Sequence, residues 1–186
     1  MRIVYLHGFN SSPRSHKAML LERYLSERGR ADRYACPALP PRAREALACI
    51  EPLLDTETCL IGSSLGGFYA TWLAETRGLR AVLINPAIEP HVGLAAYLGP
   101  QQNLYTGERY TLTEAHLRDW QALYAPRITP SRYLLLVETG DEVLDYRRAV
   151  ERYAGCEQVV VAGGDHSLKS FPEHLPRVLR FAGLAS

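Results

Sequence analysis

Six short apolar segments recur along the chain, and segments with helical periodicity separate them. The apolar segments are rich in aliphatic and β-branched residues, which is typical of parallel strands buried on both faces. They cover residues 3–6, 33–36, 58–62, 81–85, 133–138 and 158–162. Each segment therefore predicts one strand of a sheet.

Apolar residues spaced by three and four positions lie between these strands and predict amphipathic helices. The helical patterns cover residues 20–25, 43–54, 65–76 and 175–182. Gly29, Gly78 and Gly183 follow three of them as stop signals. Strands alternating with helices of this length predict a three-layer α/β domain, with a mostly parallel, doubly wound sheet of about six strands.

The segment 86–131 interrupts this alternation. It shows no strand pattern, contains five prolines and has one clear helical pattern, at residues 115–124. A connection of this length inside a compact domain is usually functional or carries its own helices. We therefore interpret the chain as a single domain over residues 1–186, with 86–131 inserted as a small helical cap. A plain long crossover with two helices is the alternative.

Composition and charge narrow the class of protein. The formal net charge is +1 and the basic residues are scattered, so nothing indicates nucleic-acid binding. No apolar stretch approaches the roughly 20 residues that span a bilayer, and residues 3–6 are too short for the apolar region of a signal peptide. The four cysteines include no C-x-x-C pair, which favours reduced thiols. We expect a cytoplasmic protein with a small-molecule partner and no membrane partner; the sequence does not indicate its oligomeric state.

A G-x-S-x-G motif, residues 62–66, supplies the strongest chemical signal. It ends a predicted strand and opens a predicted helix, which is the setting of the nucleophile elbow in α/β-hydrolases. Gly62 and Gly66 are expected there because bulkier side chains would collide with the neighbouring strand and helix. Ser64 is therefore the candidate nucleophile, and an ordinary Gly-Ser entry into a helix is the alternative.

A serine hydroxyl needs a positioned base, and in this fold the chain order is serine, acid, histidine. His166 lies in a Gly-Gly-Asp-His turn just after the last predicted strand, so it is the candidate base. Asp141 lies just past the preceding strand and is the candidate acid. Asp145, which has the position of a helix N-cap, is the alternative.

Acyl transfer also needs backbone donors for the developing oxyanion. We expect one from the amide of Leu65, directly after the nucleophile. The other is expected from the loop after the first strand, where Gly8 lets the backbone turn toward Ser64. Phe9 is the preferred donor in this loop and Asn10 the alternative.

The substrate pocket is less clearly marked in the sequence. Asn10, Tyr97 and Tyr105 are the candidate substrate-binding residues. The alternative for the tyrosines is the core of the cap, where aromatic residues at helical spacing are more often found. His91 and His116 stand apart from other ligand types, so we expect no metal site and no cofactor.

Several longer segments resemble one known family. They are LHGFNSSPRS from Leu6, IGSSLGGFYATWLAE from Ile61, NPA from Asn85, YLG from Tyr97, YTG from Tyr105, TGDEVLDYR from Thr139 and GGDHS from Gly163. On these segments the chain resembles the YqiA-like bacterial esterases of the α/β-hydrolase superfamily. The resemblance implies hydrolysis of carboxylic esters with short or activated acyl groups, or of thioesters. It assigns nucleophile, acid and base to Ser64, Asp141 and His166.

The leading functional hypothesis is a serine esterase that works through an acyl-enzyme. An acyltransferase with the same triad is a second hypothesis, because the catalytic parts are shared. A non-catalytic binding protein on this fold is a third, and it is disfavoured because proteins of that kind usually lack a triad member.

Overall fold

The computed structural model describes residues 1–184, and this part of the chain forms eight strands and seven α-helices. The strands are β1 Arg2–Leu6, β2 Tyr34–Ala35, β3 Thr58–Ser63, β4 Arg80–Ile84, β5 Gly99–Gln102, β6 Arg109–Leu112, β7 Tyr133–Glu138 and β8 Glu157–Val161. The helices are α1 His16–Ser26, α2 Ala43–Ile50, α3 Leu65–Arg77, α4 Pro90–Gly93, α5 Glu114–Ala122, α6 Tyr146–Arg152 and α7 Phe171–Phe181.

Six strands form one sheet in the order β2-β1-β3-β4-β7-β8, and every pair is parallel. All six predicted strands are present with bounds shifted by no more than a few residues, so the predicted parallel α/β fold is confirmed. Because the strands are parallel, the loops that follow them emerge at the same edge of the sheet. The predicted site residues lie in or next to these loops.

The two faces of the sheet carry separate parts of the core. Along β1, Val4 and Leu6 contribute to one buried cluster, while Ile3 and Tyr5 contribute to the other. The first cluster is completed by residues from α2, α3, α5 and α6, and the second by residues from α1 and α7. This alternation produces the three predicted layers, since successive side chains of a strand point to opposite faces.

The segment 86–131 differs from its prediction in one respect. It contains α4 and α5, but it also contains β5 and β6, which pair as an antiparallel hairpin outside the main sheet. The prediction that this segment has no strand is therefore wrong. The hairpin strands have four residues each and are largely solvent-exposed and polar, so they lack the apolar run that marks a buried strand.

One helix is also shorter in the structure than its apolar pattern predicts. The apolar repeat from Ala43 extends to Leu54, but α2 ends at Ile50 and a 3₁₀ turn, Glu51–Leu53, follows. Pro52 lies in that turn, and a proline lacks the N–H needed to continue an α-helix. No helix in the described range has the length and apolarity needed to traverse a bilayer.

A buried hydrogen bond joins the inserted segment to the core. Trp120 of α5 is fully buried, and its indole Nε1–H donates to the Tyr69 hydroxyl of α3 over 2.7 Å. The Trp120 ring also meets Phe9 edge-on, with 6.4 Å between ring centroids. These contacts fix α5 against both α3 and the loop that follows β1. Its function as a cap stays a prediction.

This contact makes a prediction about stability. In Tyr69→Phe the Trp120 N–H loses its partner while remaining buried, so the free energy of unfolding should fall by about 1–3 kcal/mol. Tyr24→Phe is the matched control, because the Tyr24 hydroxyl makes no hydrogen bond within residues 1–184 and its side chain is only partly buried. Urea denaturation measures both variants, and equal stability of the two would contradict the assignment.

Candidate active site

Ser64 lies in a strained turn between β3 and α3. Its backbone dihedrals are φ 54° and ψ −120°, a conformation that costs an L residue about 1–3 kcal/mol. The Ser64 amide donates to the Ile84 carbonyl over 3.0 Å. Its carbonyl accepts from the amides of Ala87 (3.0 Å) and Gly67 (2.9 Å). Hydrogen bonds to β4, to the segment after β4 and to α3 therefore hold the turn in this conformation.

Glycines leave the room that this turn requires. A Cβ on Gly66 would lie 1.9 Å from the carbonyl oxygen of Leu6, and one on Gly62 would lie 2.3 Å from the carbonyl oxygen of Gly66. A Cβ on Gly67 would lie 2.7 Å from the Pro86 Cβ. The steric reason predicted for glycine at positions 62 and 66 is thus confirmed by the geometry.

The structure places His166 beside Asp141. His166 Nδ1 lies 2.8 Å from Asp141 Oδ2, and the carboxylate side chain is 1% exposed. The other carboxylate oxygen accepts from the amides of Val143 and Leu144, each over 2.8 Å. Because a carboxylate only accepts hydrogen bonds, His166 Nδ1 carries the proton and Nε2 is left able to accept one.

Hydrogen bonding keeps Asp141 ionised. Burial alone would raise the pKa of this carboxyl group, but hydrogen bonds from His166 and from the amides of Leu144 and Val143 lower the pKa below its usual value. The alternative acid, Asp145, is engaged elsewhere: its side chain accepts from the Arg147 amide over 3.0 Å and caps α6. The structure therefore pairs His166 with Asp141.

The loop after β1 approaches Ser64 closely. A Cβ on Gly8 would lie 3.2 Å from the Ser64 Cβ, so the backbone passes directly beside the serine. Within residues 1–184, neither the Phe9 amide nor the Leu65 amide donates a hydrogen bond. Both residues line the cavity that Ser64 lines.

His7, in the same loop, has a structural role. Its Nε2 accepts from the Leu39 amide over 3.0 Å, and its Nδ1 donates to the Gly8 carbonyl over 3.1 Å. Burial lowers the pKa of His7, and the Gly8 carbonyl offsets this only in part. His7 is thus a neutral side chain whose two ring nitrogens connect the backbone at Gly8 with the backbone at Leu39.

Two cavities meet at Ser64 and His166, which line both of them. The first, here called the apolar cavity, has a volume of about 350 Å³. Its wall includes Phe9, Leu65, Pro86, Ile88, Leu94, Tyr97 and Leu144. The second, here called the second cavity, has a volume of about 360 Å³. Its wall includes the polar residues Asn10, Ser11, Ser15, Lys17, Glu142 and Ser167, and also Tyr5, Phe9, Leu104 and Tyr105. In the described part of the chain, no three His, Cys, Asp or Glu side chains lie together as a metal site would need.

The three candidate substrate-binding residues are placed differently from one another. Tyr97 is 56% exposed at the apolar cavity, and Tyr105 is 49% exposed at the second cavity. Asn10 donates to the Gln101 side chain over 3.1 Å and accepts from the Tyr110 hydroxyl over 2.8 Å. The Asn10 side chain therefore holds the β5–β6 hairpin in place, a structural role that the sequence did not indicate.

Two buried polar side chains near the site were not predicted. Asn85 and Glu138 are 3% and 1% exposed, and each hydrogen-bonds to the backbone of the loop that carries His166. Burial would raise the pKa of Glu138, but hydrogen bonds from Ser170 and from the amides of Asp165 and Lys169 lower it. The one sequence signal that could have indicated Asn85 and Glu138 is that each is a polar residue at the end of an apolar strand.

Comparison with solved structures defines the class of fold. Alpha/beta hydrolase domain-containing protein 10 from mouse superposes with a TM-score of 0.72 at 17% identity, covering 96% of this chain and 87% of that one. A monoacylglycerol lipase from Paleococcus ferrophilus gives a TM-score of 0.66 at 18% identity, covering 98% of this chain and 94% of that one. The chain therefore has the α/β-hydrolase fold.

The family follows from sequence comparison. A family model described as "Uncharacterised protein family (UPF0227)" matches residues 2–183, and the chain belongs to this family. A UPF0227 protein from Pectobacterium atrosepticum is 26% identical over 191 residues, covering 98% of this chain and 99% of the relative. A Yersinia enterocolitica relative is 27% identical with the same coverage. The resemblance to the YqiA-like family is confirmed.

The packing at Gly66 makes a testable prediction. Gly66→Ala should lower the free energy of unfolding by more than about 3 kcal/mol, the upper end for overpacking, because the new Cβ meets backbone that cannot move aside. Gly93→Ala is the matched control, since its Cβ would have no heavy atom within 4 Å. It should change stability by no more than about 1 kcal/mol. Urea denaturation measures both variants. A Gly66→Ala protein as stable as the wild type would contradict the close packing described for this turn.

The lowered pKa of Asp141 predicts a dependence of stability on pH. A folded-state pKa below the unfolded one means that the unfolded chain binds more protons, so stability is full above about pH 4 and falls as the pH drops further. Asp141→Asn removes this contribution. Its free energy of unfolding, measured in urea from pH 6 to pH 3, should decline less steeply than that of the wild type. Equal slopes for the two proteins would contradict the assignment.

Proposed function

We propose that this protein is a serine hydrolase that cleaves carboxylic esters or thioesters with short acyl chains. Ser64 is the nucleophile, His166 the general base and Asp141 the acid that orients it. One observation carries the proposal: His166, which is paired with Asp141 over 2.8 Å, lines the same cavity as Ser64, a partly exposed serine on a strained turn. Such pairing of base and orienting group beside a nucleophile is what acyl transfer requires.

Acylation is the first step. Ser64 Oγ attacks the carbonyl carbon of the substrate while its proton passes to His166 Nε2. Asp141 stabilises the resulting imidazolium without taking the proton. The amides of Phe9 and Leu65 donate to the oxyanion of the tetrahedral intermediate. When the intermediate collapses, the leaving alcohol or thiol takes the proton from His166 and an acyl-Ser64 ester remains.

Deacylation reverses these roles with water. A water molecule gives a proton to His166 as its oxygen attacks the acyl carbon, and a second tetrahedral intermediate forms. Its collapse releases the carboxylic acid and returns the proton from His166 to Ser64 Oγ. All proton transfers use groups of this chain, so the proposed reaction needs no cofactor.

Two cavities, both lined by Ser64 and His166, leave room for the acyl part and the leaving-group part of an ester. The apolar cavity suits an acyl chain, since it is walled by Phe9, Ile88 and Leu94 and has the size of a small-ligand pocket. The inserted segment 86–131 supplies part of that wall, which agrees with its proposed function as a cap. Tyr97 and Tyr105 are proposed to contact substrate at the two cavity mouths. The fold is also that of a protein named as a monoacylglycerol lipase.

We propose that the protein acts in the cytoplasm. Cys36, Cys49, Cys59 and Cys156 are all free thiols in the structure, which is the usual state of cysteines in a reducing compartment.

A fluorophosphonate probe and p-nitrophenyl butyrate test the mechanism together. The wild type should be labelled on Ser64 and should hydrolyse the ester, whereas Ser64→Ala should do neither. His166→Ala and Asp141→Asn should each lower kcat by roughly 10³-fold or more, as loss of a triad member does. Asp145→Asn is the matched control: asparagine caps a helix as well as aspartate does, so kcat should stay within about threefold of wild type.

Two outcomes would overturn the proposal. An active wild type that is labelled on a residue other than Ser64 would exclude the assigned nucleophile. A larger loss of kcat in Asp145→Asn than in Asp141→Asn would exclude the assigned acid.

A further inference from the structure

Asn85 connects the end of β4 to the loop that carries His166. Its side-chain Nδ2 donates to the carbonyl oxygens of Asp165 (3.2 Å) and His166 (3.1 Å). Its Oδ1 accepts from the amide of Glu138, over 3.1 Å. The Asn85 backbone has φ 40°, in the left-handed region that asparagine tolerates better than most residues. One buried amide therefore bridges the ends of β4 and β7 and the histidine loop.

Glu138 holds the same loop through its amides. Oε2 accepts from the amides of Asp165 (2.8 Å) and Lys169 (3.2 Å), and Oε1 accepts from the amide of Ser170 (2.8 Å). A Cβ on Gly164 would lie 1.9 Å from Glu138 Oε2, so the loop passes directly against the carboxylate. Glu138 is thus a buried charge whose hydrogen bonds all come from one loop.

Two further side chains reach this loop from its exposed side: Glu142 Oε2 accepts from the His166 amide over 3.1 Å, and Lys17 donates to the Ser167 carbonyl over 2.7 Å. Asn85 and Glu138 hold it from the buried side. Between the end of β8 at Val161 and the start of α7 at Phe171, the chain has neither helix nor strand. Sheet hydrogen bonds therefore do not set the place of His166. Instead, the backbone on both sides of the histidine is hydrogen-bonded to two buried side chains that stand on the ends of neighbouring strands.

The segment that begins with Asn85 also contacts the nucleophile. The Ala87 amide donates to the Ser64 carbonyl over 3.0 Å, and Pro86 lies against Gly67 of the elbow. Three consecutive residues, 85–87, therefore touch both the turn that presents Ser64 and the loop that presents His166. The spacing between nucleophile and base depends on this short segment.

We propose that Asn85 and Glu138 are positioning residues, which place the His166 imidazole between Ser64 and Asp141 by holding the backbone of its loop. Neither side chain touches the reacting atoms. The inference rests on the proposed serine-hydrolase function. Displacement of a catalytic group by about 1 Å can cost roughly 10²-fold in rate, so loss of these hydrogen bonds should act on kcat rather than on binding.

Two near-isosteric variants test the proposal. Asn85→Asp keeps the size of the side chain and tolerates the positive φ, but it replaces the donor of two hydrogen bonds with an oxygen that faces two carbonyls. Glu138→Gln places an N–H₂ group against backbone N–H donors. With p-nitrophenyl butyrate, each should lower kcat by about 10- to 100-fold and leave KM within about threefold. The rate of fluorophosphonate labelling should fall in parallel.

Glu75→Gln is the matched control for a loss of stability alone. Glu75 is also a carboxylate that holds a loop, and its side chain is 17% exposed. It accepts from the Thr129 amide (2.7 Å), the Thr129 hydroxyl (3.0 Å) and the Tyr133 hydroxyl (2.6 Å), and it forms an ion pair with Arg132 (3.1 Å). Glu75 belongs to α3, and its carboxylate lies beside Tyr133 at the start of β7, whereas the loops of the site follow the ends of the strands. We expect Glu75→Gln to lower the melting temperature as much as Glu138→Gln does, with kcat within about twofold of wild type.

A second readout does not depend on turnover. The proton NMR signal of His166 Nδ1–H reports its hydrogen bond to Asp141, and it should shift or broaden in Asn85→Asp and Glu138→Gln but not in Glu75→Gln. Unchanged kcat and an unchanged signal in both site variants would overturn the positioning role, as would an equal fall of kcat in Glu75→Gln. A wild type with this signal but with neither labelling nor hydrolysis would instead count against the proposed function.

Discussion

At Gly66 the first turn of α3 packs against the end of β1 with backbone touching backbone, and a Cβ there would fall 1.9 Å from the Leu6 carbonyl oxygen. This contact holds the loop after β1 beside the turn of Ser64, where a Cβ on Gly8 would lie 3.2 Å from the Ser64 Cβ. Phe9, Ser64 and Leu65 line one cavity there. The proposed nucleophile and both proposed oxyanion donors therefore depend on one close approach.

The rest of the site is organised by buried polar groups rather than by packing. Asp141 and Glu138 follow one another closely at the end of β7, and hydrogen bonds keep the pKa of each carboxyl group low despite burial. Asp141 uses its oxygens on His166 and its own loop, whereas Glu138 uses its oxygens on the backbone of the histidine loop. Asn85, just after β4, joins the backbone of Glu138 to the histidine loop. Loops that lack regular structure thus acquire fixed positions, because an unpaired buried carboxylate or amide would be costly.

Much of this could be predicted from the sequence, because the signals were local. Continuous apolar runs marked the parallel strands. Ser64, Asp141 and His166 were predicted as site residues from their places just after such runs, and Ser64 also from the G-x-S-x-G motif. The β5–β6 hairpin was missed because its strands are short, polar and exposed. Asn85 and Glu138 were missed for another reason: Asn85 meets His166 across 81 positions of sequence, and only the fold brings them together. Asn10 was named as a candidate, but its contact with the hairpin was missed for the same reason, since its partner Gln101 is 91 positions away.

The account depends most on a covalent intermediate at Ser64, and one measurement tests it directly. Hydrolysis of p-nitrophenyl butyrate is quenched with acid during steady turnover, and the masses of the proteolytic peptides are determined. The account predicts a butyryl group on the peptide that contains Ser64, and its absence from Ser64→Ala. A butyryl group on a different residue, or undiminished hydrolysis by Ser64→Ala, would contradict it.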